Sequence, residues 1–229
     1  ALTANRLLKS TDCNRTFQES YRDATPEAFV SAIAIVALNP NVVYLGTSKG
    51  TLLRSVDAGR SWGTVQTFGS RIVDVTLDPR NSSVIYVATA NRGVHRSDNN
   101  GASFTDFVSS MRQFQGGPDV RKLALEAATP GALIAATRYG LLRTTDSGAS
   151  WTPFTLVTQP GKVEILSLAV NPKNSREIYY GTSTTFYRSS DGGASWSTKK
   201  LPSSRTATAL LVDFKEPKNI YLGVTEIKK

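Results

Sequence analysis

The sequence predicts an all-β protein assembled from four-stranded antiparallel units repeated along the chain. Three observations predict it. A short turn motif recurs five times at nearly constant spacing, a fixed order of short β-branched runs surrounds each copy, and most of the 17 Gly and 10 Pro fall between those runs. At 229 residues the chain can bury a sizeable core, and no apolar run approaches the ~20 residues of a membrane-spanning helix.

The clearest motif copies read SVDAGRSW (55–62), SDNNGASF (97–104), TTDSGASW (144–151) and SSDGGASW (189–196). A worn copy, STDCNRTF, occupies 10–17. The central positions Asp12, Asp57, Asn99, Asp146 and Asp191 are 45, 42, 47 and 45 residues apart. A short carboxylate or amide can accept hydrogen bonds from nearby backbone N–H groups and hold a tight turn. Gly59, Gly101, Gly148 and Gly193 supply the positive φ that such a turn needs, and Asn14 and Asn99 depart from the pattern. The closing aromatics Phe17, Trp62, Phe104, Trp151 and Trp196 are expected to start the next strand and pack on the sheet.

Before each turn stands a strand ending in a cation: Lys9, Arg54, Arg96, Arg143 or Arg188. Such regularity points to a structural role, with stems packed on the turn aromatics. Upstream come a second strand (VVYLGT, VIYVAT, LIAAT, EIYYGT) and an inner strand closed by an Asn/Asp-Pro turn. Units of about 45 residues with four antiparallel strands are β-propeller blades. The expected blades cover about 26–69, 70–115, 119–160 and 163–204. A fifth is assembled from both chain ends, 1–20 plus 206–229, because the N-terminal stretch supplies late strands and the C-terminal one early strands. One five-bladed domain over 1–229 follows. The rival is a larger ring of which two blades precede Ala1.

These turns, with their flanking strands, resemble the Asp-box (bacterial neuraminidase repeat) propeller superfamily over essentially the whole chain. That superfamily includes sialidases, xyloglucan-cleaving glycosidases, the sortilin receptor domain and photosystem II assembly factors, and the chain is most similar to exported bacterial repeat proteins. The resemblance implies export, and it implies that the box residues fasten turns on the face away from any ligand. A sialidase-like activity would bring an Arg-Ile-Pro or Arg-Leu-Pro signature, and neither occurs.

Catalytic candidates are few. Glycoside hydrolysis uses two carboxylates across one cleft. Outside the boxes, the inner-strand acids are Asp74, Glu126, Glu164 and Asp213. Asp78 and Asp213 align with Asn39 and Asn171 as turn residues, and His95 is expected to be a surface or packing residue. No catalytic residue, metal site or cofactor is expected, since a lone Cys13 and a single His95 make no Cys/His zinc site.

The net charge of +9 favours an anionic partner. By alternation of strand direction, the loops opposite the boxes form the channel mouth. They place Arg71, Arg121, Lys122, Lys162 and Arg205 before inner strands or at their starts, and Lys49, Arg92 and Arg138, with Tyr139, between second and third strands. The expected function is a non-catalytic scaffold holding a protein partner, an acidic glycan or a lipid headgroup; a glycan-binding or sialidase-like propeller is the alternative. Nucleic acid is disfavoured, because no stripe of interleaved aromatic and basic residues offers to stack bases.

Overall fold

The computed structural model describes residues 2, 3 and 5–225; residues 1, 4 and 226–229 of the expected terminal blade lie outside the described residues. Nearly all regular structure is strand. In chain order these are β1 (Leu2–Thr3), β2 (Arg6–Lys9), β3 (Gln18–Arg22), β4 (Val30–Ile35), β5 (Val43–Thr47), β6 (Thr51–Ser55) and β7 (Gly63–Thr67). There follow β8 (Ile72–Leu77), β9 (Ile85–Thr89), β10 (Gly93–Ser97), β11 (Thr105–Asp106), the one-turn helix α1 (Val108–Met111), β12 (Val120–Leu125), β13 (Leu133–Thr137), β14 (Leu141–Thr144) and β15 (Thr152–Pro153). The last are β16 (Ser167–Asn171), β17 (Asn174–Gly181), β18 (Thr185–Ser189), β19 (Ser197–Lys200), β20 (Thr206–Val212) and β21 (Ile220–Thr225).

Four sheets are four-stranded with neighbours in sequence order: β4 to β7, β8 to β11, β12 to β15 and β16 to β19. The chain ends form a three-stranded sheet, β1-β2-β3, and a two-stranded one, β20-β21. The chain divides into two compact units, Ala1–Ala90 with His95–Thr105, and Asn91–Val94 with Asp106–Lys229.

The second strands are buried from end to end in β5, β9 and β13. Strands covered on both faces read as continuous apolar runs rather than alternating ones, and VYLGT, IYVAT and LIAAT do so. In the first unit Tyr44, Leu52, Ile72, Val75 and Ile85 share one core; in the second Ile134, Leu141, Leu168, Ile178 and Tyr180 share another. Each core draws on two consecutive sheets.

The five turns share one hydrogen-bond scheme. In the second copy, the Ser55 hydroxyl donates to Asp57 Oδ1 at 2.7 Å and accepts from Gly59 N at 2.7 Å. Asp57 Oδ1 also accepts from Ser61 N at 2.9 Å, and Oδ2 accepts from the Ser61 hydroxyl at 2.6 Å. Ser10/Asp12/Thr16, Thr144/Asp146/Ser150 and Ser189/Asp191/Ser195 repeat the arrangement. Asn99 keeps the turn by reversing one bond, its Nδ2 donating to Ser103 Oγ at 2.9 Å. The turn needs two successive positive-φ residues where the sequence pointed to one. Cys13, Ala58, Asn100 and Ser147 sit at φ 58–65°, each directly before Asn14, Gly59, Gly101 or Gly148.

The glycines do a second job. A Cβ on Gly59, Gly101, Gly148 or Gly193 would come closer than 3.0 Å to Ser20, Val65, Phe107 or Phe154 respectively. Each of those residues lies three places after the preceding turn's aromatic. The glycine therefore lets one turn press onto the outer segment of the blade before it. Trp62 and Trp196 fasten the same junction through indole N–H bonds to the carbonyls of Ser20 (2.9 Å) and Thr155 (3.1 Å). Phe17 differs from the packed aromatic expected, being 47% exposed.

The turn carboxylates titrate low. The Ser150 hydroxyl, with backbone and Thr144 bonds, lowers Asp146 to about 2; Thr16 does the same for Asp12, and Asp57 and Asp191 are also depressed. A depressed folded-state pKa adds stability that is present above the unfolded value near 3.8 and is lost as pH falls toward 2. Thermal midpoints should fall between pH 5 and pH 2. Asp146→Asn, which copies Asn99, should reduce that drop while changing the pH 5 midpoint little. An equal drop in the variant would show that this carboxylate does not set the acid limb.

Candidate functional site

Five connections join successive sheets, and the one between β3 and β4, 23–29, is seven residues long. Phe68–Arg71 and Leu201–Arg205 are tight, whereas 107–119 and 154–166 are thirteen residues each. Both long connections belong to the second unit, and both are tied to the short turn between β13 and β14. Arg138 N donates to the Asp119 carbonyl at 2.9 Å, and the Tyr139 carbonyl accepts from Gly161 N at 2.8 Å. Within the turn, buried Thr137 accepts from Tyr139 N at 3.1 Å and its hydroxyl donates to the Gly140 carbonyl at 2.9 Å. Arg138 and Tyr139 are thus presented at a turn fixed from three sides.

Their side chains are positioned by neighbours. Phe114 packs against Tyr139 with ring centroids 5.2 Å apart. Gly116, at φ +88°, lies so near the Arg138 stem that a Cβ would be 3.1 Å from it. A cavity of about 310 Å³ opens here, lined by Gln115, Arg138, Tyr139, Pro160 and Lys162 among others. Arg138 and Lys162 are exposed, and neither side chain makes an ion pair or hydrogen bond among the described residues. On the other side of Tyr139 and Pro160 lies a mainly apolar cavity of about 380 Å³, walled by Phe154, Leu156 and Val157.

Arg121, expected at the mouth, is ion-paired there. The ladder from β12 to β13 steps from Val120 to Lys122, leaving Arg121 as a bulge, and bulges re-aim side chains. The same step occurs at Ser31 in β4, Val73 in β8 and Thr208 in β20. Arg121 forms ion pairs with Glu164 and, through Nε, with Asp119 Oδ1 at 3.4 Å. Asp119 and Glu164 thereby face one guanidinium.

Of the other mouth residues, Arg92, Lys122 and Arg205 belong to the second unit but do not line these cavities; Lys49 and Arg71 are exposed in the first unit. Phe114, Gln115, Gly116 and Pro160 escaped the sequence reading, although the length of their two loops marks them.

Three sequence expectations change. Glu126 is not an inner-strand acid: it follows β12, its N–H bonds to the Ala132 carbonyl, and its fully buried carboxylate meets Arg143 Nη2 at 2.6 Å. Asp78 does not match Asn39. Its N–H bonds Val84 O as that of Val36 bonds Val42 O, so it replaces Val36 while remaining a turn residue. The cations before the turns do not lie on the turn aromatics. Arg54 and Arg188 lie over Tyr44 and Tyr179, Arg96 and Arg143 pair with Asp98 and Glu126, and Lys9 donates to the Ala58 carbonyl at 2.8 Å. His95 is a packing residue, 7% exposed and 4.7 Å from the Phe68 ring.

Among the described residues no group of three His, Cys, Asp or Glu is arranged to hold a metal ion, and no helix is long and apolar enough to cross a membrane.

Comparison with solved structures identifies a β-propeller fold. The GH74 xyloglucanase from Xanthomonas campestris superposes on 97% of this chain with a TM-score of 0.75 at 17% identity. An ancestral GH74 enzyme superposes on 98% with a TM-score of 0.78 at 18% identity. YCF48 from Cyanidioschyzon merolae covers 87% with a TM-score of 0.65 at 17% identity. The chain spans 40% and 32% of the two GH74 chains and 65% of the YCF48 chain. No family model matches the sequence, and no curated protein matches it.

Proposed function

We propose that this chain is a non-catalytic binding propeller that holds a protein or anionic partner against the Arg138–Lys162 cavity. One observation carries the reading: two exposed cations without side-chain partners among the described residues stand where the two longest connections converge. Cations in a concave, partly apolar setting attract and orient an anionic group, and arginine can grip a carboxylate, sulfate or phosphate with two parallel bonds. A structure of YCF48 bound to D1 peptide gives a propeller of similar fold with a peptide partner. The turn geometry supports placing the chain in the Asp-box superfamily. The five-blade count is taken from the repeat, one blade for each of the five turns.

Charge reversal tests the reading. Arg138→Glu with Lys162→Glu should cut recovery of co-purifying partner at least tenfold without moving the melting midpoint; unchanged recovery would sink the idea. The glycoside-hydrolase alternative rests on Asp119 and Glu164, which lie close together through Arg121. Both pair with Arg121, an ion-paired arrangement, whereas glycoside hydrolysis uses two carboxylates flanking the scissile bond. Release of sugar from xyloglucan, abolished by Glu164→Gln, would favour that alternative.

A further inference from the structure

The two cavities beside Tyr139 are chemically unlike, and they share Tyr139 and Pro160 as their common wall. One offers the free cations Arg138 and Lys162 with the Gln115 amide. The other offers Phe154, Leu156 and Val157, and Val157 is 61% exposed although it is apolar. The Val157 loop is held against the turn: Gly140, with no side chain and φ +146°, leaves room for Leu156, and the Gly161–Tyr139 bond closes the loop's far end. A volume of about 380 Å³ lies at the small end of ligand sites and suits one or two large side chains.

We propose that this site takes a peptide in which a carboxylate stands next to a large apolar side chain, the carboxylate on Arg138 and Lys162 and the apolar group against Leu156 and Val157. The proposal rests on the binding function above and adds the ligand's chemistry to it. A sugar would leave the aliphatic wall unused, and a simple anion would leave the whole second cavity empty. The carboxylate could be an acidic side chain or a chain terminus, because the cations meet the same group in either case.

The test uses four N-acetylated peptides with the full 229-residue chain, read by isothermal titration calorimetry. Two carry the paired groups: Gly-Ser-Asp-Phe-Gly amide, and Gly-Ser-Gly-Phe with a free C-terminus. Two are controls: Gly-Ser-Asn-Phe-Gly amide, lacking the carboxylate, and Gly-Ser-Asp-Gly-Gly amide, lacking the apolar group. Binding by either paired peptide, at least tenfold tighter than both controls, supports the proposal, and the stronger of the two names the carboxylate's source. Val157→Asp and Arg138→Glu should each weaken that binding at least tenfold, and as both side chains are exposed, an unchanged melting midpoint separates this from misfolding. Equal binding of all four peptides overturns it. So does a Val157→Asp variant that binds like the parent. If charge reversal abolishes partner capture while Val157→Asp and the peptide series show no discrimination, the binding function stands and the ligand chemistry proposed here fails.

Discussion

Gly193→Ala should destabilise the protein by ~2–5 kcal/mol, while Gly192→Ala, one residue away, should cost only ~1–2 kcal/mol. Both glycines have positive φ, +80° at Gly192 and +95° at Gly193, so both substitutions bear the cost of a left-handed L-residue. The surroundings differ. Nothing lies within 4 Å of a Cβ on Gly192, and Ala58 already occupies the equivalent place in the second turn at φ 61°. A Cβ on Gly193 would run into the Phe154 ring. That ring cannot swing away cheaply, because it packs edge-on to Trp196 at 6.2 Å and belongs to the second unit's core. Thermal denaturation of the two single variants, compared with the parent, measures the gap directly. Equal losses at the two positions would mean that the turn does not press on the neighbouring blade as described.

The pair also shows what could be read from the sequence. The glycine at the second left-handed position recurs in four of five turns, so the repeat exposes it. The first left-handed position is filled by Cys13, Ala58, Asn100, Ser147 and Gly192, which share no chemistry, and only the backbone reveals that they share a conformation. Alignment on the Asn/Asp-Pro turns misplaced Asp78 for a related reason. The register there is set by the backbone bond that closes the turn, Asp78 N to Val84 O, and not by where proline falls.

The candidate site was half legible. Arg138, Tyr139 and Lys162 stood out as irregular residues at the end opposite the repeated turns, and the structure brings them together. The loops that build the walls were hidden by compensation. Where the connections lengthen to 107–119 and 154–166, the outer strands β11 and β15 shrink to two residues, against five in β7 and four in β19. With this partial offset the turn spacing rises only from 42 to 47 and 45, too little to stand out in the sequence. The ion pairs of Arg121 were not legible because its partners, Asp119 and Glu164, come from two different connections, one of them 43 residues away. A bulge and an ion pair across blades leave no local pattern.

The same limit makes Glu126 the position of second large effect. In the sequence it read as an inner-strand acid; in the fold its carboxylate is fully buried and its ionic partner is Arg143, the cation before the fourth turn. Arg143→Met should cost ~3–5 kcal/mol, because removing one member of such a pair leaves a buried charge uncompensated. The loss should exceed that from Arg188→Met. Arg188 is half exposed, 3.8 Å from Glu177, and surface pairs contribute only ~0–1 kcal/mol. The informative variant is the double one. Glu126→Leu with Arg143→Met replaces both charges by apolar groups of similar size, and exchanges of this kind are often neutral or stabilising. The double variant should therefore recover most of the stability lost in Arg143→Met alone. A double-mutant cycle by urea denaturation reads the coupling, and single and double variants of equal stability would refute the account. Recovery would also explain why a cation recurs before every turn while its partner changes from a tyrosine ring to a carboxylate or a carbonyl. The repeat fixes a position for positive charge beside the second strand; four of the five cations meet a side chain of their own repeat, and Lys9 meets the Ala58 carbonyl.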